Sequence, residues 1–164
     1  MQVSLEGVWF RQIPAGADPL SRPPDPPDGR WQRSSVVGAI YFGDSPETVW
    51  AEWYRWLAEA AIPPEMALPR DLWQWEIDLP RVADVSKADL PALEPSRRQW
   101  PRFQTFGEQL HADGWPALVS PSAARPGGRE LCIFRTAQTV VGATPLPPPE
   151  RVSDPPVVPT GLRT

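Results

Sequence analysis

The chain has 164 residues and a formal net charge of −4, with 16 basic and 20 acidic side chains. Hydrophobic residues make up 41% of the sequence, which is enough for one folded domain. No run of about 18 apolar residues occurs, so we expect no membrane span. The basic residues are scattered along the chain, which argues against nucleic-acid binding.

Histidine and cysteine occur once each, as His111 and Cys132. These two side chains cannot form an internal disulfide or a four-ligand zinc site. The common glycine-rich phosphate-binding motifs are absent, and the N-terminus lacks the basic and apolar regions of a secretory signal. We therefore expect a cytoplasmic protein without a metal, whose chemistry relies on carboxylate, guanidinium and hydroxyl groups.

The first part of the chain predicts two strands separated by a proline-rich loop. Residues 3–12 alternate loosely and indicate a strand, whereas the prolines of residues 14–27 exclude a helix or a central strand. This loop leads to Arg30. Residues 36–42 are a short apolar, β-branched run, which is typical of a buried strand ending at Tyr41.

A helix is predicted directly after this strand. Ser45 can cap the free backbone N–H groups, and Pro46 suits the first helical position. Apolar residues then recur at helical spacing until Pro63 ends the helix. Glu52 lies at the edge of the apolar stripe, one turn before Trp56.

The second half of the chain predicts five further elements. They are strands at residues 72–79, 115–120 and 130–135, a short strand at residues 81–85, and a helix at residues 103–110. Prolines recur from residue 143 onward. We expect residues 143–164 to be a disordered tail that is dispensable for folding, because they bury too little apolar surface to offset their ordering entropy. Residues 1–142 are then the folded domain.

Four polar residues form a pattern along the chain. Arg30, Tyr41 and Glu52 follow one another at intervals of eleven residues, and Ser122 comes much later. Taken singly, each has a structural explanation: a solvated loop residue, a core residue with a satisfied hydroxyl, a surface partner of Arg55, and a turn residue.

Taken together, the motifs resemble the RES domain family, which is named for its arginine, glutamate and serine and occurs as toxins in bacterial toxin–antitoxin pairs. The matching segments follow the family order over roughly residues 5 to 135, and they are Trp9-Phe10-Arg11, Gly29-Arg30-Trp31, residues 40–47 continuing to Ala51-Glu52, residues 118–123, and the late helix before Gly114.

The resemblance implies an α+β fold like that of ADP-ribosyltransferases, with central β-sheets and flanking helices, and NAD bound as the substrate in a cleft without a metal. It implies cleavage of the nicotinamide–ribose bond by water or phosphate, or transfer of ADP-ribose to a protein. Glu52 would stabilise the positive charge that develops on the ribose. Arg30 would bind the pyrophosphate or an attacking phosphate, and Arg11 would be a second anion contact. Tyr41 would stack on nicotinamide or orient a ribose hydroxyl, and Ser122 would hydrogen-bond the ribose or the glutamate.

Two positions depart from the family pattern. Gln32 follows the Gly-Arg-Trp motif and Glu130 opens the last strand, where the family usually has asparagine. A carboxylate at the second position could change the charge of the cleft. A second hypothesis therefore stays open, which is a RES-like binding module without turnover. The resemblance also implies an Xre-type antitoxin as a partner, and a homodimer is compatible with it.

Overall fold

The structure is a computed structural model that describes residues 1–93, 96–136 and 140–164. The chain is α+β, as predicted, and its elements in chain order are β1 (Gln2–Pro14), β2 (Gly38–Gly43), α1 (Pro46–Ala60), β3 (Arg70–Asp84), α2 (Trp100–Ala112), β4 (Ala117–Pro121), β5 (Arg129–Arg135) and β6 (Ala143–Val152). None of the helices among these residues has the length and apolar character that a membrane span requires.

The six strands form one sheet with the order β1-β2-β5-β4-β3-β6, and β1 also pairs with β3. This extra pairing joins the first five strands into a nearly closed ring and leaves β6 outside it. The two strands predicted at residues 72–79 and 81–85 are one strand, β3. Leu79 pairs with Leu5 and Val82 with Val3, so a bulge at Pro80 accommodates the missing N–H of the proline.

The ring is open on one side, between β1 and β2. These strands pair at Phe10 and Gly43 and diverge from there. Helix α1 starts beside this gap, where Ser45 accepts a hydrogen bond from the Thr48 N–H at 3.2 Å, as the capping prediction required. The apolar face of α1, which includes Trp53, packs against the sheet in its own hydrophobic cluster. The polar edge of the helix is thereby turned toward the gap.

Helix α2 holds the segment that follows the proline-rich loop. The Trp31 ring is fully buried and meets Phe103 of α2 edge-on, with ring centroids 5.3 Å apart. Gly107 lets the two backbones approach, because a Cβ there would lie 2.1 Å from the Trp31 carbonyl oxygen. The N–H of Arg33 donates to Glu108 at 2.8 Å. These contacts fix the position of Arg30.

The prediction of a disordered tail is wrong for residues 143–152. They form β6, which pairs antiparallel with β3 from Ala143 opposite Ile77 to Val152 opposite Arg70. Proline density misled the sequence interpretation because prolines are excluded from central strands but tolerated on an edge strand. β6 is such an edge strand, so its prolines need no N–H on its outer side.

Candidate active site

Two adjoining cavities of about 290 and 590 Å³ lie where β1 and β2 diverge. They share several side chains and therefore form one continuous cleft between the sheet and α1. The shared residues that carry polar or aromatic groups into this cleft include Arg11, Tyr41, Glu52, Trp56 and Glu130.

Both carboxylate oxygens of Glu52 are held by hydrogen bonds. The Ser122 hydroxyl donates to Oε1 at 2.7 Å, and the Ala124 N–H approaches the same oxygen at 3.3 Å. Arg55 Nε donates to Oε2 at 2.9 Å. Ser122 is only 4% exposed and lines neither cavity, so it orients Glu52 from behind the cleft.

The predicted pairing of Glu52 with Arg55 on the helix surface is present. Further ion pairs continue from Arg55 to Glu59 and Arg97. Arg55 Nη1 donates to Glu59 at 2.7 Å, and Arg97 Nε donates to the other oxygen of Glu59 at 2.9 Å. Burial lowers the pKa of Arg55, but Glu52 and Glu59 outweigh it and raise that pKa. Glu52 thus belongs to a chain of ion pairs and also lines the cleft.

Arg30 is a buried cation whose terminal nitrogens find no hydrogen-bond partner among the described residues. The residue is 5% exposed, and both Nη1 and Nη2 lack an acceptor. Burial lowers the pKa of Arg30, while the negative charges of Glu130 and Glu52 oppose that shift. Buried polar groups are normally satisfied, and a guanidinium presents a planar fork of donors. Since Arg30 lines the larger cavity, its open donors suit an anionic ligand.

The Tyr41 hydroxyl forms hydrogen bonds with two other residues of the chain. It donates to Gln32 Oε1 at 2.5 Å and accepts from the Trp31 N–H at 3.2 Å. Gly29 makes room for this contact, because a Cβ there would lie 2.1 Å from the Tyr41 oxygen. Burial raises the pKa of Tyr41 well above its usual value. The hydroxyl therefore locks the Gly-Arg-Trp segment, and the side chain also lines the cleft.

Arg11 belongs to a cationic wall of the cleft that also includes Arg70 of β3 and Arg135 of β5. Its Nη1 donates to the Tyr41 carbonyl at 3.3 Å, across the gap between the strands. Burial lowers the pKa of Arg11 to about 10, and the charges of Arg135 and Arg70 add to that shift. Burial also lowers the pKa of Arg70 to about 10. Three guanidinium groups near one another make this wall favourable for anions.

Glu130 is a second carboxyl group in the cleft. It is the second residue of β5, opposite Gly43, and lines both cavities. Burial raises its pKa to about 8 and the negative charge of Glu52 adds to the shift, while Arg30 and Arg55 oppose it. The Glu130 carboxyl therefore keeps its proton to a higher pH than an ordinary glutamate does.

Sequence reasoning missed two residues that line the cleft. Trp56 is 40% exposed and lines both cavities. It lies four residues after Glu52, so helical spacing alone could have placed it on the same face. Arg70 is different, because it reaches the cleft from the strand beside β1, where its Nε donates to Gln12 at 2.6 Å. No local signal in the sequence marks it.

A model of the RES domain family matches residues 8–154. The chain belongs to the RES domain family. The toxin MbcT in the crystal structure of the M. tuberculosis MbcT–MbcA toxin–antitoxin complex is similar in fold, with a TM-score of 0.70, 20% sequence identity, and coverage of 88% of this chain and 86% of that chain. No curated protein sequence matches the chain. The family match extends through β6.

This RES domain brings its family residues to one place from distant parts of the chain. Arg30, Tyr41 and Glu52 line the cleft, Arg11 lines it from the opposite strand, and Ser122 contacts Glu52 from behind. Loop, strand, helix and late turn therefore meet at the open side of the ring. Among the described residues, no group of three or more potential metal ligands comes together.

We expect Glu130→Gln to stabilise the protein increasingly as the pH rises. The pKa of Glu130 is about 8 in the folded protein against an ordinary value of 4.5. Between those values the folded state holds an extra proton, so its stability falls as the pH rises, and glutamine removes that dependence. The gain at about pH 9 relative to about pH 5 should be on the order of a few kcal/mol.

Thermal melts of both proteins across this pH range measure the effect. Glu76→Gln, which replaces an exposed glutamate of β3, is the matched control and should follow the parent. A difference in melting temperature that does not change with pH would show that Glu130 is ionised throughout.

Proposed function

We propose that this RES domain is a toxin-type enzyme that consumes NAD by breaking the bond between nicotinamide and ribose. The observation that carries the proposal is the Glu52 carboxylate, held at both oxygens at the edge of a cleft whose walls carry arginines. From the family resemblance we also propose that the fold is ADP-ribosyltransferase-like and that NAD binds in this cleft. The acceptor of the ribosyl group is water, phosphate or a protein side chain.

The charges of the cleft suit the pyrophosphate of NAD. Arg30 has open terminal donors, and Arg11 has a buried Nε without a partner among the described residues. An arginine fork binds phosphate oxygens through two parallel hydrogen bonds. We assign the pyrophosphate, or an attacking phosphate, to these two arginines, with Arg70 adding positive charge. Trp56 at the cleft wall offers a ring face for one of the two bases.

The reaction needs negative charge at the ribose. When the bond between C1′ and the nicotinamide nitrogen breaks, its electron pair leaves with the nitrogen, so nicotinamide departs as a neutral molecule. Positive charge develops on the ribose, and a fixed carboxylate stabilises it. Glu52 is our catalytic residue. Ser122 and Arg55 keep its carboxylate in one orientation, which lowers the reorganisation that the reaction requires.

A binding module without turnover is the second candidate. The observation that favours it is Glu130, a carboxyl group in the cleft where the family usually has asparagine. If this group were ionised near neutral pH, it would repel the phosphates of NAD. Its raised pKa argues against that repulsion, and the enzyme is the function that we infer.

Replacing the catalytic carboxylate tests the reaction. We expect the parent protein to convert NAD to free nicotinamide, and Glu52→Gln to lower kcat by about 10²–10³-fold, since the loss of one preorganised electrostatic group costs this much elsewhere. Products are identified by mass spectrometry with and without phosphate. Glu47→Gln, on an exposed part of the same helix, is the control and should keep the parental rate. A folded Glu52→Gln protein with parental turnover would disprove the mechanism, and an inactive parent would favour the binding module.

Replacing Arg30 tests its contribution to ligand binding separately from its effect on the stability of the fold. Arg30→Met should weaken the binding of ADP-ribose by about 10-fold or more, because hydrogen bonds to a charged group are worth about 1.5–3 kcal/mol. The same variant should melt at a higher temperature, because it removes a buried charge without a hydrogen-bond partner. Calorimetric titration and thermal melts measure the two effects. Arg102→Met on the exposed face of α2 is the control, and unchanged ADP-ribose affinity in Arg30→Met would remove Arg30 from the site.

We also propose that an antitoxin protein, of the Xre type by family resemblance, covers this cleft. MbcT is seen in a complex of a toxin with an antitoxin, and an enzyme that consumes NAD in the cytoplasm needs such a restraint. The exposed Trp56 gives a partner an apolar contact at the cleft. Titrating the product of a neighbouring gene should abolish NAD consumption at an equimolar ratio. Full activity at saturation would refute this partner, and light scattering of the purified chain would test for a homodimer.

A further inference from the structure

Residues 153–164, which we call the C-terminal strap, leave the end of β6 and contact α1. Val152, just before the strap, packs on the hydrophobic cluster of α1. The Tyr54 hydroxyl of α1 then donates to the Pro156 carbonyl. Pro159 is buried farther along. The strap is thus hydrogen-bonded to the helix that carries Glu52.

The end of the strap contacts a second element, the loop between β4 and β5. The N–H of Arg163 donates to the Ala124 carbonyl at 2.9 Å. Gly161 lies beside Pro126, where an added Cβ would come within 3.6 Å of the proline ring. One segment of chain therefore links α1 to the loop that contains Ser122.

Ala124 connects this link to the candidate active site. Its carbonyl accepts from the strap, while its N–H approaches Glu52 Oε1 at 3.3 Å and the Ser122 hydroxyl at 3.2 Å. The two faces of one peptide segment thus contact the strap and the Glu52–Ser122 pair. A shift of Ala124 would disturb the hydrogen bonds of both side chains.

The proline content of the strap suits this task. Pro155, Pro156 and Pro159 restrict the backbone before folding, so fixing the strap costs less conformational entropy than fixing an ordinary segment. Prolines also lack N–H groups, which removes donors that would need partners. The strap then needs few hydrogen bonds to remain ordered.

We propose that the C-terminal strap is a positioning element for the Glu52 carboxylate. It presses the Ala124 segment toward α1 and so keeps the Ser122 hydroxyl and the Ala124 N–H on one oxygen of Glu52. The loop has another bond to α1, from Arg125 Nη1 to Thr48 at 3.2 Å, but that bond lies one turn before Glu52. This inference rests on the proposed catalytic function of Glu52.

A pair of substitutions at one residue tests the strap. Arg163→Pro removes the N–H that donates to Ala124, whereas Arg163→Ala keeps that N–H and shortens only an exposed side chain. We expect Arg163→Pro to melt cooperatively, to lose hydrogen-exchange protection at the Ala124 and Arg125 amides, and to lower kcat for NAD about 3–10-fold. The KM should stay within about twofold, because a positioning role acts on the reaction more than on binding. Arg163→Ala should behave as the parent.

Other outcomes would contradict the proposed positioning role of the strap. Parental exchange and parental kcat in a folded Arg163→Pro protein would overturn it, and so would a parallel loss of kcat and NAD affinity, which indicates a general structural role. If Arg163→Pro does not fold, Tyr54→Phe removes the other strap bond with the loss of one hydroxyl and should give the same pattern of exchange and kcat. A parent without NAD turnover would refute the proposed function, whereas protection lost only at Ala124 and Arg125 would still support the strap contact.

Discussion

The hydrogen bond from the Ser122 hydroxyl to Glu52 is the contact on which the arrangement of the cleft depends. It joins the loop after β4 to the middle of α1, at a separation of 70 residues in the chain. Ser122 also accepts from the N–H groups of Ala124 and Arg125, so its hydroxyl hydrogen is directed toward Glu52. The serine is buried, whereas the glutamate lies at the cleft. The loop after β4 therefore orients a side chain that belongs to another element, α1.

The buried charged groups of the cleft lower the stability of the folded protein. Arg30 is buried and Arg11 is half-buried, and each has buried donors without a partner among the described residues. Burial lowers the pKa of both. Such groups destabilise a fold, and proteins retain them where they serve a function. Glu130 has the opposite shift, since burial raises its pKa. A cleft with surplus positive charge and one fixed carboxylate suits a ligand that is anionic at its phosphates and becomes cationic at its reacting carbon.

The end of the chain shows how composition can mislead. High proline content usually signals disorder because such segments bury little apolar surface. Here β3 supplies the hydrogen-bonding partner for β6, and the residues after β6 contact Tyr54 and Ala124. Proline removes a donor without removing an acceptor, so an edge strand tolerates it, and so does a position such as Pro156 whose carbonyl accepts a hydrogen bond. The outcome depended on neighbours that are distant in the sequence.

Local signals in the sequence determined α1, its capping by Ser45, and the position of Glu52 beside the apolar stripe, since caps and helical periodicity act within a few residues. The order of the family residues also led to the expectation that Arg30, Tyr41, Glu52 and Ser122 meet in one cleft. The first three line it and Ser122 does not, while the roles of all four stay predictions. Tertiary structure alone decided that Ser122 stands behind Glu52, that the Tyr41 hydroxyl is taken by Gln32, and that Arg70 enters from a neighbouring strand. It also decided the pKa of Glu130, because burial and the charges of other elements exist only once the chain has closed on itself.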